Sequence, residues 1–169
     1  DIVGYRHYGE EYQQAVIRLL IVSSATIYIS LSTENITSTL YFLIVTFPLV
    51  AILLLIDSRL KPKLSTKRQL FSLLADVSGT SISVYLTNDV GSVFIGVYLW
   101  LVIGYGLRFG RAMLLAAYCA SLIGFVTASV LSNHWQINPV AFYGILFTLI
   151  SVPLYALSLL TRLKDATNK

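Results

Sequence analysis

Between Gln14 and Leu160 the chain is laid out as six apolar runs joined by short polar connectors, and only two residues inside those runs are charged, Arg18 and Asp76. The runs cover roughly 14–31, 39–56, 69–86, 93–107, 112–131 and 139–160. A helix needs about 20 apolar residues to cross the hydrocarbon core of a bilayer. In lipid the backbone polar groups must be satisfied within the chain, so runs of this kind fold as helices. A soluble core is excluded by surface scaling. Of the 169 residues, 56% are hydrophobic and 12% charged, against about 25% charged in a soluble domain. The expected fold is all-α: an integral membrane bundle of six transmembrane helices, preceded by a short amphipathic helix at the membrane surface.

The charges set the expected topology. The connector 57–68 holds five basic residues, Arg59, Lys61, Lys63, Lys67 and Arg68, which marks it as cytoplasmic. Six crossings put Arg108, Arg111, Arg162, Lys164 and Lys169 on that same face. Both termini then lie in the cytoplasm, and the connectors 32–38, 88–92 and 132–138 lie outside. The fourth run is short, so a tilted or re-entrant segment is the alternative there. The formal net charge of +4 is a topology signal and not a nucleic-acid footprint. The domain reading is a cytoplasmic amphipathic segment over 1–14, a six-span domain over 15–160, and the start of a further helix over 161–169. A chain that opens on Asp1 and stops at Lys169 is expected to be a piece of a longer protein.

The third run carries the most chemistry. Ser72, Asp76, Gly79, Thr80, Ser83 and Thr87 recur every three or four residues, which makes one polar stripe on a helix. Such a stripe faces other helices, where small residues allow close approach. A carboxylate at membrane depth costs several kcal/mol unless paired or hydrated. Asp76 is therefore read either as a polar switch or cavity floor, or as a structural ion pair. Arg18 enters from the same face at similar depth and is its candidate partner. Tyr28, Tyr85, Tyr98, Tyr118 and Tyr155 are either pocket hydroxyls or ordinary interfacial and packing aromatics. Pro153 is expected to break the last span, as Pro48 kinks the second.

No catalytic set can be assembled. His7 and His134 fall on opposite faces of the membrane, and Cys119 is alone in mid-span. Gly104-Tyr105-Gly106 follows a membrane helix, so it is not a phosphate loop. No metal and no cofactor are expected.

The fourth run ends in a glycine-rich string, Tyr98-Leu99-Trp100 followed by Gly104-Tyr105-Gly106-Leu107-Arg108-Phe109-Gly110. With the entry Glu10, Glu11, Gln14 and Arg18, and the intramembrane Asp76, it resembles the membrane input domain of RpfC-type sensor histidine kinases. Only 98–110 is specific to that pattern. The family places Asn between the two glycines, where this chain has Tyr105. The resemblance implies a multi-pass protein of the bacterial inner membrane, with a cytoplasmic kinase and response regulator downstream. It also implies a homodimer, and a hydrophobic small-molecule signal met among membrane lipids, such as a cis-2-unsaturated fatty acid of the diffusible-signal-factor type. The expected ligand-binding or switch residues are Asp76, Arg18, Thr80, Tyr98, Trp100 and Arg108. The expected packing or hinge residues are Gly104, Gly106, Gly110 and Pro153. The rival reading is a small proton-coupled transporter or membrane-embedded enzyme that uses Asp76.

Overall fold

Each apolar run forms a helix. The computed structural model describes residues 2–33, 37–60, 65–87 and 93–167, all as helix or short connector. The helices are α1 (Ile2–Ser32), α2 (Ser38–Leu60), α3 (Thr66–Thr87), α4 (Ile95–Phe109), α5 (Arg111–Leu131), α6 (Asn133–Ile137) and α7 (Pro139–Thr167). Glu34, Lys61, Lys63, the 88–92 turn and Lys169 lie outside the described residues, as do the side chains of His7, Glu10, Glu11 and Lys164. Among the described residues, α1, α2, α3, α5 and α7 contain stretches long and apolar enough to cross a membrane; α4 is apolar but shorter. Its 15 residues span about 22 Å at 1.5 Å per residue, against a hydrocarbon core of about 30 Å.

Two sequence expectations change. The polar segment 1–14 is not a separate surface helix but the first turns of α1, which runs unbroken to Ser32. No proline interrupts that stretch, so nothing stops the helix from propagating backwards. Pro153 does not break α7: the helix continues on both sides of it to Thr167, with the proline ring fully buried. The fourth run is helical through its glycine-rich end, as its apolar length implied. α4 passes through Gly104 and Gly106, and the chain reverses at Gly110 alone.

In α1, α3 and α7 many hydroxyls turn back on their own helices. Ser24, Thr26 and Ser30 in α1 donate to carbonyls four residues back. So do Ser78, Thr80, Ser81, Ser83 and Thr87 in α3, and Thr148, Ser151 and Thr161 in α7. This is how a hydroxyl is satisfied when no water surrounds it.

The chain divides into two compact units, Asp1–Ser72 and Leu73–Lys169. In the first, α1 and α2 form a hairpin. Thr37 caps α2 by accepting the Leu40 amide at 3.3 Å. The open end of the hairpin is closed by Arg59, which donates to the Tyr12 hydroxyl and lies 4.4 Å from that ring's centre. Next to it Arg68 pairs with Asp57 at 3.5 Å.

In the second unit α4 and α5 form a tight antiparallel pair. The Gly110 amide donates to the Gly106 carbonyl, and the Leu114 amide to the Gly110 carbonyl, both at 3.0 Å. Gly110 has φ 84° and ψ −172°, a region open essentially to glycine alone. A Cβ on Gly106 would stand 2.5 Å from Leu114 Cδ1, so glycine sets how closely the two helices approach. α5 buries Met113, Leu114, Ala117, Ser121, Phe125, Ala128 and Ser129, a stripe at three- and four-residue steps. Phe125 is its hub. It stacks on Phe142 of α7 at 5.7 Å and meets Trp135 of α6 edge-on at 6.0 Å. Trp135 is buried in this core, because the short helix α6 folds it against the Phe125 ring.

Candidate functional site

Two hydrogen bonds join α3 to α4 inside the second unit. The Tyr105 hydroxyl donates to Asp76 Oδ2 at 3.1 Å. The hydroxyls of Ser81 and Tyr98 lie 2.7 Å apart. Ser81 has one proton and gives it to the Val77 carbonyl at 2.7 Å, so Tyr98 is the donor to Ser81. Tyr98 and Tyr105 stand seven residues apart on one face of α4 and are both almost fully buried. Their partners occur in reverse order along α3, as an antiparallel pair requires. Tyr98 is also fixed edge-on against Phe125 at 6.2 Å, and Tyr105 lies 5.7 Å from the Phe109 ring.

α5 closes this ladder from a third side. A Cβ on Gly124 would fall 2.4 Å from Ser81 Oγ and 2.9 Å from Val77 Cγ1. The absent side chain at 124 therefore makes room for the Ser81 hydroxyl to meet Tyr98. Asp76, Ser81, Tyr98, Tyr105 and Gly124 form one polar seam through an otherwise apolar helix cluster.

The remaining expected site residues are distributed differently. Thr80 is buried, and its hydroxyl donates to the Asp76 carbonyl at 2.8 Å, within its own helix. Trp100 and Arg108 flank Gly104 on another side of α4: a Cβ there would lie 3.2 Å from Arg108 Nη1 and 4.0 Å from Trp100 Cε2. Arg18 belongs to the first unit, where it is 6% exposed and donates to the Ser72 hydroxyl. Gly110 makes the α4–α5 reversal, and Pro153 sits in the interior of α7. Of the other tyrosines, Tyr85 and Tyr155 are exposed.

Sequence reasoning missed Ser81, Gly124 and the role of Tyr105. Ser81 lies one position off the polar stripe and looks outward on a helical projection. A usable signal was present. Asp76 with Tyr105, and Ser81 with Tyr98, sit at nearly equal distances from the 88–92 connector, as facing residues of a helical hairpin do. Gly124 has no local signal, since its partner is set by packing between α3 and α5.

With this geometry in hand, comparison with known proteins is informative. No protein-family model matches the chain, and no solved structure matches it. Two curated proteins do, both named sensory/regulatory protein RpfC, from two strains of Xanthomonas campestris pathovar campestris. Each is 34% identical over 121 residues, covering 72% of this chain and 17% of the relative. The likeness thus covers most of the sequence: the chain belongs with the RpfC-type sensory/regulatory proteins, and the matched stretch spans 17% of their length.

Proposed function

We propose that this chain is the membrane sensory module of a bacterial histidine kinase, and that it reports a lipid-like signal such as a cis-2-unsaturated fatty acid. The observation that carries the reading is the relationship to a sensory/regulatory protein across 72% of the chain. The polar seam supplies a mechanism. A half-buried carboxylate held by Tyr105 in an apolar bundle is an arrangement whose strength depends on helix packing. A ligand that enters between helices and binds one packing better than another shifts their populations.

In this reading all six apolar helices cross the membrane of the cell, with α4 the short, sharply placed crossing and both termini cytoplasmic. Asp76, Tyr98 and Tyr105 form the switch, while Trp100 and Arg108 fix the cytoplasmic end of α4 over Gly104. Arg18, through Ser72, ties α1 to the start of α3. Output leaves through α7, which stays helical to Thr167, five residues beyond the apolar span ending at Arg162. It passes to a dimeric kinase and its response regulator.

The test is a graft. The chain replaces the matched segment of the Xanthomonas relative, and kinase-dependent reporter output is followed as cis-2-dodecenoic acid is added to the cells. A dose-dependent response that disappears when a flexible Gly/Ser stretch is inserted after Leu163 supports the proposal. A response indifferent to that insertion refutes relay through α7. Proton flux in liposomes that is lost with Asp76→Asn would instead establish the transporter reading.

A further inference from the structure

The two sides of α7 differ. Phe142, Leu149 and Pro153 turn inward: Phe142 stacks on Phe125, and Leu149 and the Pro153 ring are fully buried. The opposite side is open. Val140, Tyr143 and Phe147 are 86%, 65% and 72% exposed, and Ile150 and Leu154 are exposed as well. These residues alternate steps of three and four, and Leu157 follows in step. That is the a/d pattern of a helix that packs along another helix.

Exposure alone does not mark a docking face, because lipid covers apolar side chains equally well. α2 shows the difference. It exposes Phe42, Val45, Leu49, Ile52 and Ile56 at the same steps, but Leu53 and Leu60 stand exposed beside that stripe and would hold a second backbone away. The corresponding places on α7 are Gly144, Ser151 and Ser158, small residues seven apart. In a parallel pair of helices the hole for a d-position side chain is bounded by the facing a, d, e and next a residues. Tyr143, Ile150 and Leu157 would enter holes lined by these three small residues. Gly144 also has no role within its own chain. Gly106 and Gly124 are glycines because Leu114 and Ser81 stand where a Cβ would be. A Cβ on Gly144 would meet nothing within 4 Å among the described residues, yet glycine is the weakest helix former after proline.

A second copy of the chain supplies the matching surface. Two copies enter the membrane in the same orientation, so a two-fold axis along the membrane normal sets α7 against α7 in parallel. An aromatic side chain presents about 150–250 Å², so the open parts of Tyr143 and Phe147 alone offer about 200–340 Å² per copy, against about 600 Å² per copy in the smaller stable interfaces. Val140, Ile150, Leu154 and Leu157 extend that area. Close packing of this kind is what holds helices together in lipid. α7 also stays helical to Thr167, past the apolar span ending at Arg162, so the pair would continue out of the bilayer. We propose that the open face of α7 over 140–157 joins two copies of this chain as a parallel, left-handed helix pair. The inference deepens the sensory reading, which calls for a dimeric kinase and does not say which face joins the copies.

The chain, carrying Cys119→Ala, is reconstituted in phospholipid vesicles and oxidised with copper phenanthroline. Val140→Cys, Phe147→Cys and Leu154→Cys should each give a disulfide-linked dimer. Leu49→Cys and Leu53→Cys on α2, which are also exposed, should not. Linkage through α2 and not α7 overturns the assignment. Energy transfer between copies labelled at their N-terminal amines is then followed as added lipid dilutes them. Gly144→Leu should weaken association about tenfold by filling the hole for Tyr143. It should leave unfolding of the diluted, monomeric chain unchanged, because its Cβ has open space in its own chain. An unaltered association in Gly144→Leu overturns the proposal. So does an unsubstituted chain that is monomeric at every dilution, which would leave lipid on this face. Neither readout uses kinase output, so a fatty-acid response in the grafted reporter without linkage through α7 would sink this face and leave the sensory reading standing.

Discussion

Gly124→Ala is the most informative single substitution in the seam. The new methyl would stand 2.4 Å from Ser81 Oγ and 2.9 Å from Val77 Cγ1. Neither atom can yield freely. Ser81 Oγ is held between the Val77 carbonyl and the Tyr98 hydroxyl, both at 2.7 Å, and Val77 is buried. Overpacking of this kind costs about 1–3 kcal/mol. If Ser81 swings away, the Tyr98 hydroxyl loses its acceptor, and hydrogen bonds between membrane helices average about 0.6 kcal/mol with a maximum near 1.7. The expected loss is therefore about 2–4 kcal/mol. Much of it should vanish in a Ser81→Ala background, because a Cβ at 124 is an ordinary 3.7 Å from Ser81 Cβ. Val77 still resists there, so rescue is partial, with a coupling of about 1–2 kcal/mol. The assay is reversible unfolding in mixed micelles for the two single variants and the double. Strictly additive losses would refute the claim that glycine at 124 exists to seat the Ser81–Tyr98 bond.

Gly106→Ala should destabilise by about 1–3 kcal/mol through its clash with Leu114, and Leu114→Ala in the same chain should recover part of that loss by thermal unfolding. Gly110→Ala should cost about 1–3 kcal/mol because of its φ of 84° and ψ of −172°; Gly110→Asn should be no better, which separates this reversal from a left-handed helix cap that asparagine tolerates. Tyr105→Phe removes one donor from Asp76 and should cost no more than about 2 kcal/mol, yet shift basal reporter output in the grafted kinase; unchanged output with a stable protein would remove this bond from the switch.

The helical class and most helix boundaries were legible because lipid leaves the backbone so little choice. Apolar length alone was enough to place α2, α5 and α7 closely, although α7 runs on unbroken through Pro153. The N-terminal segment was misread because its polar composition resembles a surface helix, while nothing in its backbone chemistry ends a helix. The site was only half visible. Asp76 could be singled out, since a charge among apolar neighbours has an energetic reason to be noticed. Its partner could not, because Tyr105 is one of eleven tyrosines and only the antiparallel register of α3 and α4 selects it.

The glycine string at the end of α4 decides how that helix moves. Were its glycines there for flexibility, α4 would be a hinge that bends near Gly104. The structure gives Gly104 and Gly106 helical backbone and fills the space beside each, with Arg108 at one and Leu114 at the other. Glycine here brings helices and side chains closer, and close packing resists small continuous bending. α4 should then move as a rod, pivoting at Gly110, with Tyr98 and Tyr105 carried together. Both bonds to α3 would strengthen or fail in concert, and Gly124 would feel the change through Ser81. That coupling is what a two-state element requires. A local bend at Gly104 would separate the two tyrosines and blur the response over many intermediate packings.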